Sequence, residues 1–185
     1  KVAFQMLLAG DALGEDPRAE RLRRMAVRTA EWIAQNVEPV PNSWFPRRTT
    51  PQGRVYRNSP EGGPDRFWDS SADGLFVLQL EAALSEGHLA DYRETLRPKT
   101  DVFIKSGGIF GSINHDTYDP NESVAYSVAF RTLRQAARVL GEDRIRQFAY
   151  DRCLAGLDQF KMTHDQHGVA TQGLLFMEKS WETAY

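Results

Sequence analysis

The sequence predicts an all-α fold in which antiparallel helix pairs form two layers, and three observations lead to this fold class. Apolar residues recur with the 3.6-residue period of α-helices along most of the chain. The connections between the periodic stretches alternate between short and long. The helices alternate between nearly uniform apolarity and a distinct charged face. These features favour a single domain that covers residues 1–185.

Seven helices are predicted in order along the chain. Their approximate ranges are 2–13, 17–37, 68–86, 89–105, 121–140, 142–161 and 175 to the end. Pro98 lies inside the fourth range, where it is expected to kink or interrupt the helix because its ring removes a backbone donor.

Capping residues support several of these boundaries. Asp16-Pro17 supplies an N-cap and a proline at the first helical position of the second helix. The segment Asp119-Pro120-Asn121-Glu122 gives the fifth helix the same start, with its glutamate at the capping-box position. Gly87 and Gly141 stand where helix C-caps belong.

The lengths of the connections predict how the helices are arranged. Connections near Gly14, Gly87 and Gly141 are short, whereas residues 38–67, 106–120 and 162–174 form long loops. A short link between helices produces an antiparallel hairpin. In an up-and-down chain the short turns therefore lie at one end, and the long loops share the other end.

The odd-numbered and even-numbered helices differ in character. Val2–Ala9 and Leu75–Leu80 are apolar nearly all round, which predicts inner helices that are buried on every side. The second and sixth helices carry charged faces opposite apolar rows, which predicts outer helices. Related segments around Leu13, Leu84 and Leu140 end the first helix of each pair, so the repeated unit is a hairpin with a loop of variable length.

An inner and an outer layer, hairpins of about 60 residues, and inner helices opened by Phe67-Trp68-Asp69 and Trp181-Glu182-Thr183-Ala184-Tyr185 resemble the six-hairpin (α/α) toroid superfamily. The resemblance covers the whole chain and is one of architecture. It implies carbohydrate-active enzymes, which include glycoside hydrolases, polysaccharide lyases and sugar epimerases. It also implies a site at the N-terminal ends of the inner helices.

A full toroid has six hairpins, and this chain would supply about three of them and the start of a fourth. Lys1 begins inside an apolar run and Tyr185 ends inside a helical pattern, so we expect both to be cut ends. The apolar edges of such a fragment are expected to be covered by the missing remainder of the toroid or by an oligomeric partner.

Pairs of carboxylates near helix starts are the candidates for glycoside hydrolysis. Asp69 and Asp73 are four residues apart and share a helical face, where the helix dipole favours the ionised form of a base. Glu178 and Glu182 repeat this spacing, and either could be the acid if burial raises its pKa. The alternative is that these carboxylates are solvated and only compensate helix dipoles.

Aromatic and polar residues of the long loops are the candidates for sugar binding. Their rings offer apolar faces to a sugar, and their amide and guanidinium groups can bind hydroxyl or carboxyl groups. The predicted substrate-binding residues are Trp44, Arg47, Tyr56, Trp68, Asn114, Tyr118, Tyr126 and Trp181. Alternatively, the rings only fix the long loops to the helical body.

A second candidate chemistry lies in residues 111–119. Asn114-His115 followed by Tyr118 resembles the Asn-His pair and nearby tyrosine of toroid-fold lyases, and His115 is then the catalytic residue. Arg47 or Arg66 could neutralise the uronate carboxyl. Asp116 departs from the aromatic or small polar residue that the resemblance implies after the histidine, and its charge would repel a uronate. The alternative is a turn-rich loop with an exposed histidine.

Several classes of function are disfavoured. A net charge of −2 with interspersed signs gives no basic surface for nucleic acid, and no apolar run approaches the length of a membrane span. Cys153 lies in an apolar helical pattern that is typical of a buried, inert thiol. His164 and His167 lie in a loop-like segment without a third ligand, so neither a metal nor another cofactor is expected.

The leading hypothesis is therefore a glycoside hydrolase that acts on an oligo- or polysaccharide. A polysaccharide lyase that uses Asn114, His115 and Tyr118 is the alternative enzyme. A non-catalytic helical scaffold that binds a glycan or a peptide is the alternative from another class. No signal sequence is visible, and the compartment stays open.

Overall fold

The computed structural model describes residues 1–37, 49–54, 71–105, 123–165 and 168–176, with the side chains of residues 71–73 excluded. The helices are α1 (Val2–Leu13), α2 (Pro17–Asn36), α3 (Ser71–Glu86), α4 (Arg93–Lys105), α5 (Ser123–Leu140) and α6 (Asp143–Phe148). A π-helical segment, Ala149–Leu154, and a 3-10 turn, Leu157–Phe160, continue the path of α6. Within the described ranges no β-sheet forms, and the all-α prediction is confirmed.

The predicted helix boundaries agree with the structure for α1 and α2 and need three corrections elsewhere. The fourth helix begins at Arg93, four residues later than predicted, because residues 87–92 form the turn after α3. Pro98 does not interrupt α4, which continues to Lys105. The predicted start of a seventh helix at Leu175 is wrong, because this residue forms an antiparallel bridge with Lys161. The capping segment 119–122 and residues 177–185 lie outside the described residues.

The first hairpin, α1–α2, is held by a cap and by close packing. The Asp16 carboxylate accepts the backbone N–H of Arg18 at 2.8 Å, and Pro17 follows it, as predicted. Gly10 is buried where the two helices cross, and a Cβ there would lie 3.0 Å from the carbonyl oxygen of Ala19. Arg23 of α2 donates to the Gly10 carbonyl at 2.8 Å, so it satisfies a terminal carbonyl of α1.

The turns after α3 and α5 share one hydrogen-bond pattern. After α5 the N–H of Glu142 donates to the Ala137 carbonyl at 3.1 Å, and Gly141 takes a left-handed conformation with φ 68°. After α3 the N–H of Leu89 donates to the Leu84 carbonyl at 3.0 Å. These six-to-one bonds are those of the Schellman motif. In the turn after α3 the left-handed residue is His88, with φ 56°, and not the predicted Gly87.

Two apolar clusters form the core, and α3 contributes to both. One cluster joins α3, α4, α5, α6 and the π-helical segment, and Leu78 of α3 lies within it. The other joins α1, α2 and the opposite side of α3, which contributes Leu80 and Leu84. α3 is therefore covered from two sides, which accords with its nearly uniform apolar surface.

The expectation that an inner helix is buried on every side is wrong for α1 within the described structure. Val2 is 68% exposed and Leu8 is 46% exposed. The reason is that only α2 and α3 pack against α1 among the described elements, and they cover one side of it.

The odd-numbered helices run in the same direction. Glu86 at the end of α3 accepts hydrogen bonds from Arg138 and Gln135 near the end of α5, each at 2.6 Å. At the other end of α3, the ammonium group of Lys1 lies 5.5 Å from the centre of the Phe76 ring, so α1 begins beside the first half of α3. The even-numbered helices run in the opposite direction, away from the short turns. No helix in the described ranges combines the length and apolarity that crossing a membrane requires.

Candidate functional site

The N-terminal ends of α3 and α5 lie at the same end of the helix assembly, because their C-terminal ends are joined through Glu86 and Arg138. The two longest connections of the chain, residues 37–70 and 106–122, lead into these N-termini. The short turns lie at the opposite end. Both long connections therefore enter their following helices at one end of the assembly. Whether the loops themselves share a face there stays a prediction.

Most of the predicted site residues lie outside the described residues. For catalysis these are Asp69, His115, Glu178 and Glu182; for substrate binding they are Trp44, Arg47, Tyr56, Trp68, Asn114, Tyr118 and Trp181. Asp73 lies in the first turn of α3, where its backbone is helical. The roles predicted for these residues stay predictions.

Tyr126 is the predicted binding residue whose side chain is described. It lies in the first turn of α5 and is half-buried. Its ring meets that of Phe160 edge to face, with centroids 5.4 Å apart. The ring also lies directly against Gly156, where a Cβ would come within 2.2 Å of the Tyr126 Cε1 atom. Through these contacts the Tyr126 ring packs the segment after the π-helix, including the 3-10 turn, against α5. This is a structural role.

The third long connection folds back on itself beside these aromatic rings. The N–H of Met162 donates to the Leu174 carbonyl and the N–H of Phe176 donates to the Phe160 carbonyl, both at 2.8 Å. Asp165 closes the loop, because its carboxylate accepts the backbone N–H groups of residues 171 and 172 at 3.0 and 2.9 Å. Phe160 is fully buried, so the loop is fixed at its base.

Metal binding gains no support in the part of the chain that the structure describes. His164 is exposed and its ring nitrogen lies 3.1 Å from the Thr163 hydroxyl, whereas His167 is outside the described residues. No group of three or more histidine, cysteine or acidic side chains that could hold an ion occurs among the described residues.

Cys153 is confirmed as a buried thiol. It is fully buried in the π-helical segment within the larger apolar cluster. Burial raises its pKa to about 12, and the charge of Arg152 offsets only part of this effect. The thiolate is therefore scarce at neutral pH, which argues against a nucleophilic role.

A buried carboxylate between α3 and α4 was missed by sequence reasoning. Glu81 is 1% exposed and pairs with the ammonium group of Lys99, while its second oxygen has no hydrogen-bond partner. Burial raises the pKa of Glu81, and the charge of Lys99 and hydrogen bonds from Lys99 and Thr95 offset only part of the effect. The available signal was a single charge within the apolar run of α3.

The hydroxyl of Tyr92 belongs to the same polar region. It is buried without a hydrogen-bond partner, and its pKa is raised by burial and by the negative charges of Glu31 and Glu81. Both groups lie toward the short-turn end, away from the entry of the long connections. We therefore assign this region to packing between α3 and α4 and not to the candidate site.

Compared with protein-family models, with curated proteins and with solved structures, the chain shows no match that would assign it to a family.

Proposed function

We propose that this chain is part of a carbohydrate-active enzyme, and within that class of a glycoside hydrolase that acts on an oligo- or polysaccharide. The observation that supports the proposal is the common direction of α1, α3 and α5. It brings the entry points of the two longest connections, which contain most of the candidate aromatic and acidic residues, to one end of the helices.

The chemistry follows from the residue types at that end. Glycoside hydrolysis requires one carboxyl group that protonates the leaving oxygen and a second that acts as base or nucleophile. Asp73 lies in the first turn of α3, where the positive end of the helix dipole favours the ionised carboxylate. In the proposal Asp69 and Asp73 supply the base, Glu178 or Glu182 supplies the acid, and the tryptophans stack on sugar rings.

The test measures the products that the full-length protein releases from a panel of neutral and uronate-containing glycans. New reducing ends are expected from a neutral glycan. Asp69→Asn and Glu178→Gln should each lower kcat by about 10²–10⁴-fold, the usual contribution of one acid or base group. Glu15→Gln, an exposed carboxylate in the turn between α1 and α2, is the matched control and should leave kcat unchanged.

Two results would overturn the proposal. If the folded protein releases neither reducing ends nor an unsaturated uronate from any glycan, the result favours the non-catalytic scaffold. If instead an unsaturated uronate product absorbs in the ultraviolet and His115→Ala abolishes it, the reaction is an elimination and the protein is a lyase.

A further inference from the structure

The outer face of α2 carries an unusual set of exposed side chains. Small residues, Ala19, Ala26 and Ala30, form the buried face of this helix. Directly opposite lie Arg21, Arg24, Met25, Arg28 and Trp32, which we call the basic stripe. The basic stripe runs from Arg21 to Trp32, which is about 16 Å along the helix at about 1.5 Å per residue.

Few carboxylates neutralise the guanidinium charges of the basic stripe. Arg24 pairs with Glu20 at 3.1 Å, and both side chains are more than half exposed. Arg21 and Arg28 contact no carboxylate among the described residues. Together with Met25, the three arginines line an open depression. The surface is therefore cationic and free to receive a ligand of opposite charge.

The apolar members of the basic stripe are exposed as well. Met25 is 41% exposed and Trp32 is 39% exposed. Arginine, methionine and tryptophan are the residue types enriched in the cores of protein–protein interfaces, where tryptophan and arginine also carry much of the binding energy. The spacing of Arg21, Met25, Arg28 and Trp32 alternates between four and three residues, which is the spacing of a helix-packing seam.

We propose that the basic stripe docks an acidic amphipathic helix of a protein partner. Arg21 and Arg28 are two helical turns apart, so their charges are complementary to glutamates at positions i and i+7 of the partner helix. Met25 lies between them and accepts an aliphatic side chain of that helix. An anionic polysaccharide would satisfy the arginines but would bring no aliphatic side chain to Met25. The inference does not depend on the proposed hydrolase activity.

The test uses a labelled helical peptide with glutamates at i and i+7 and leucines at i+3 and i+4. Its fluorescence anisotropy is measured during titration with the full-length protein. Saturable binding is expected, and it should weaken as salt screens the charges. The double variant R21E/R28E should raise Kd by at least about tenfold, and Trp32→Ala should raise it by about tenfold, as loss of an interface anchor does.

A matched double variant separates specific docking from general charge effects. R131E/R152E changes the net charge by the same amount, and both arginines are exposed on other elements. It should leave Kd unchanged. Circular dichroism confirms that each variant is folded.

Three outcomes would overturn the proposal. The peptide fails to bind saturably, or the two double variants weaken binding equally. In the third, the peptide does not bind while polygalacturonate or phosphatidylserine vesicles do, and R21E/R28E abolishes that binding. That result would assign the basic stripe to an anionic glycan or to a lipid surface.

Discussion

At the scale of single residues, His88 adopts a left-handed backbone conformation that its side chain disfavours. Its φ of 56° occupies the left-handed region, where a side chain with a Cβ is strained and glycine is not. Gly141 holds the equivalent position in the turn after α5. The same motif is thus formed with and without glycine in one molecule, which provides an internal comparison.

Replacing His88 with glycine should stabilise the protein. The side chain is exposed, so little packing is lost, and the relief of strain should raise the free energy of unfolding by about 0.5–1 kcal/mol. Urea denaturation measures the change. The reciprocal substitution Gly141→His should lower stability by a similar amount. A loss of stability in His88→Gly would show that the imidazole contributes more than the strain costs.

Glu81 predicts a dependence of stability on pH. Because burial raises its pKa, the native protein binds this proton more tightly than the unfolded chain does. The stability from this carboxyl is present below the ordinary glutamate pKa, about 4.5, and is lost as pH rises through the higher folded-state pKa. The Glu81→Gln variant lacks this titration and does not show the loss. The free energy of unfolding of the variant, relative to that of the wild type, should therefore increase from about pH 4.5 to about pH 7.5.

Glu86→Gln is the matched control because the shift has the opposite sign. The hydrogen bond from Arg138 lowers the pKa of Glu86. Its contribution is present above the ordinary pKa and is lost as pH falls through the lowered one. The Glu86→Gln variant should therefore differ most from wild type at neutral pH. Parallel pH curves for wild type and Glu81→Gln would contradict the assigned shift.

At the scale of elements, α4 is a helix that continues through a proline. Pro98 cannot donate to the carbonyl of residue 94, and its ring crowds that carbonyl. The helix persists because Leu96, Thr100 and Phe103 are buried on its other face. Tertiary packing thus overrides the local preference that led to the expected interruption.

Pro98→Ala should raise the free energy of unfolding by about 1–3 kcal/mol, because alanine restores the missing hydrogen bond and Pro98 is exposed. The measurement is chemical denaturation of the purified protein. Lys105→Ala, an exposed substitution at the end of the same helix, should change stability much less. Unchanged or lower stability in Pro98→Ala would mean that the rigidity of proline in the unfolded chain outweighs the lost bond.

At the scale of the whole molecule, α3 is the helix that both apolar clusters share. It contributes to both apolar clusters, whereas α1 is covered on one side. Protection from hydrogen exchange follows burial and packing. The amides of residues 78–82 are therefore expected to exchange most slowly, and those of α1 faster than those of any other long helix.

Hydrogen exchange followed by mass spectrometry checks this order. Peptides from α5, which packs on α3, serve as the reference for a well-covered helix. Equal protection of α1 and α3 in the full-length protein would show that another part of the protein covers the exposed Val2 and Leu8.

The sequence predicted the helices well because periodicity and caps are local signals. Asp16 and Pro17 identified the start of α2, and alternating loop lengths identified the hairpin order. No local signal in the sequence marked the change from α- to π-helical geometry at Ala149. The contact between Tyr126 and Gly156 was also not predicted, because it joins residues that are distant in the chain. Within the candidate site, residue types suggested a chemistry, but mutual distances depend on how the long connections fold.

The bond between Glu86 and Arg138 has a consequence for how such a protein can diversify. It joins α3 and α5 at the short-turn end, where the Schellman turns also lie. The long connections enter α3 and α5 at the opposite end. We expect that loops at that end can be lengthened or exchanged between proteins of this type. The contact between Glu86 and Arg138 would still hold α3 and α5 in register.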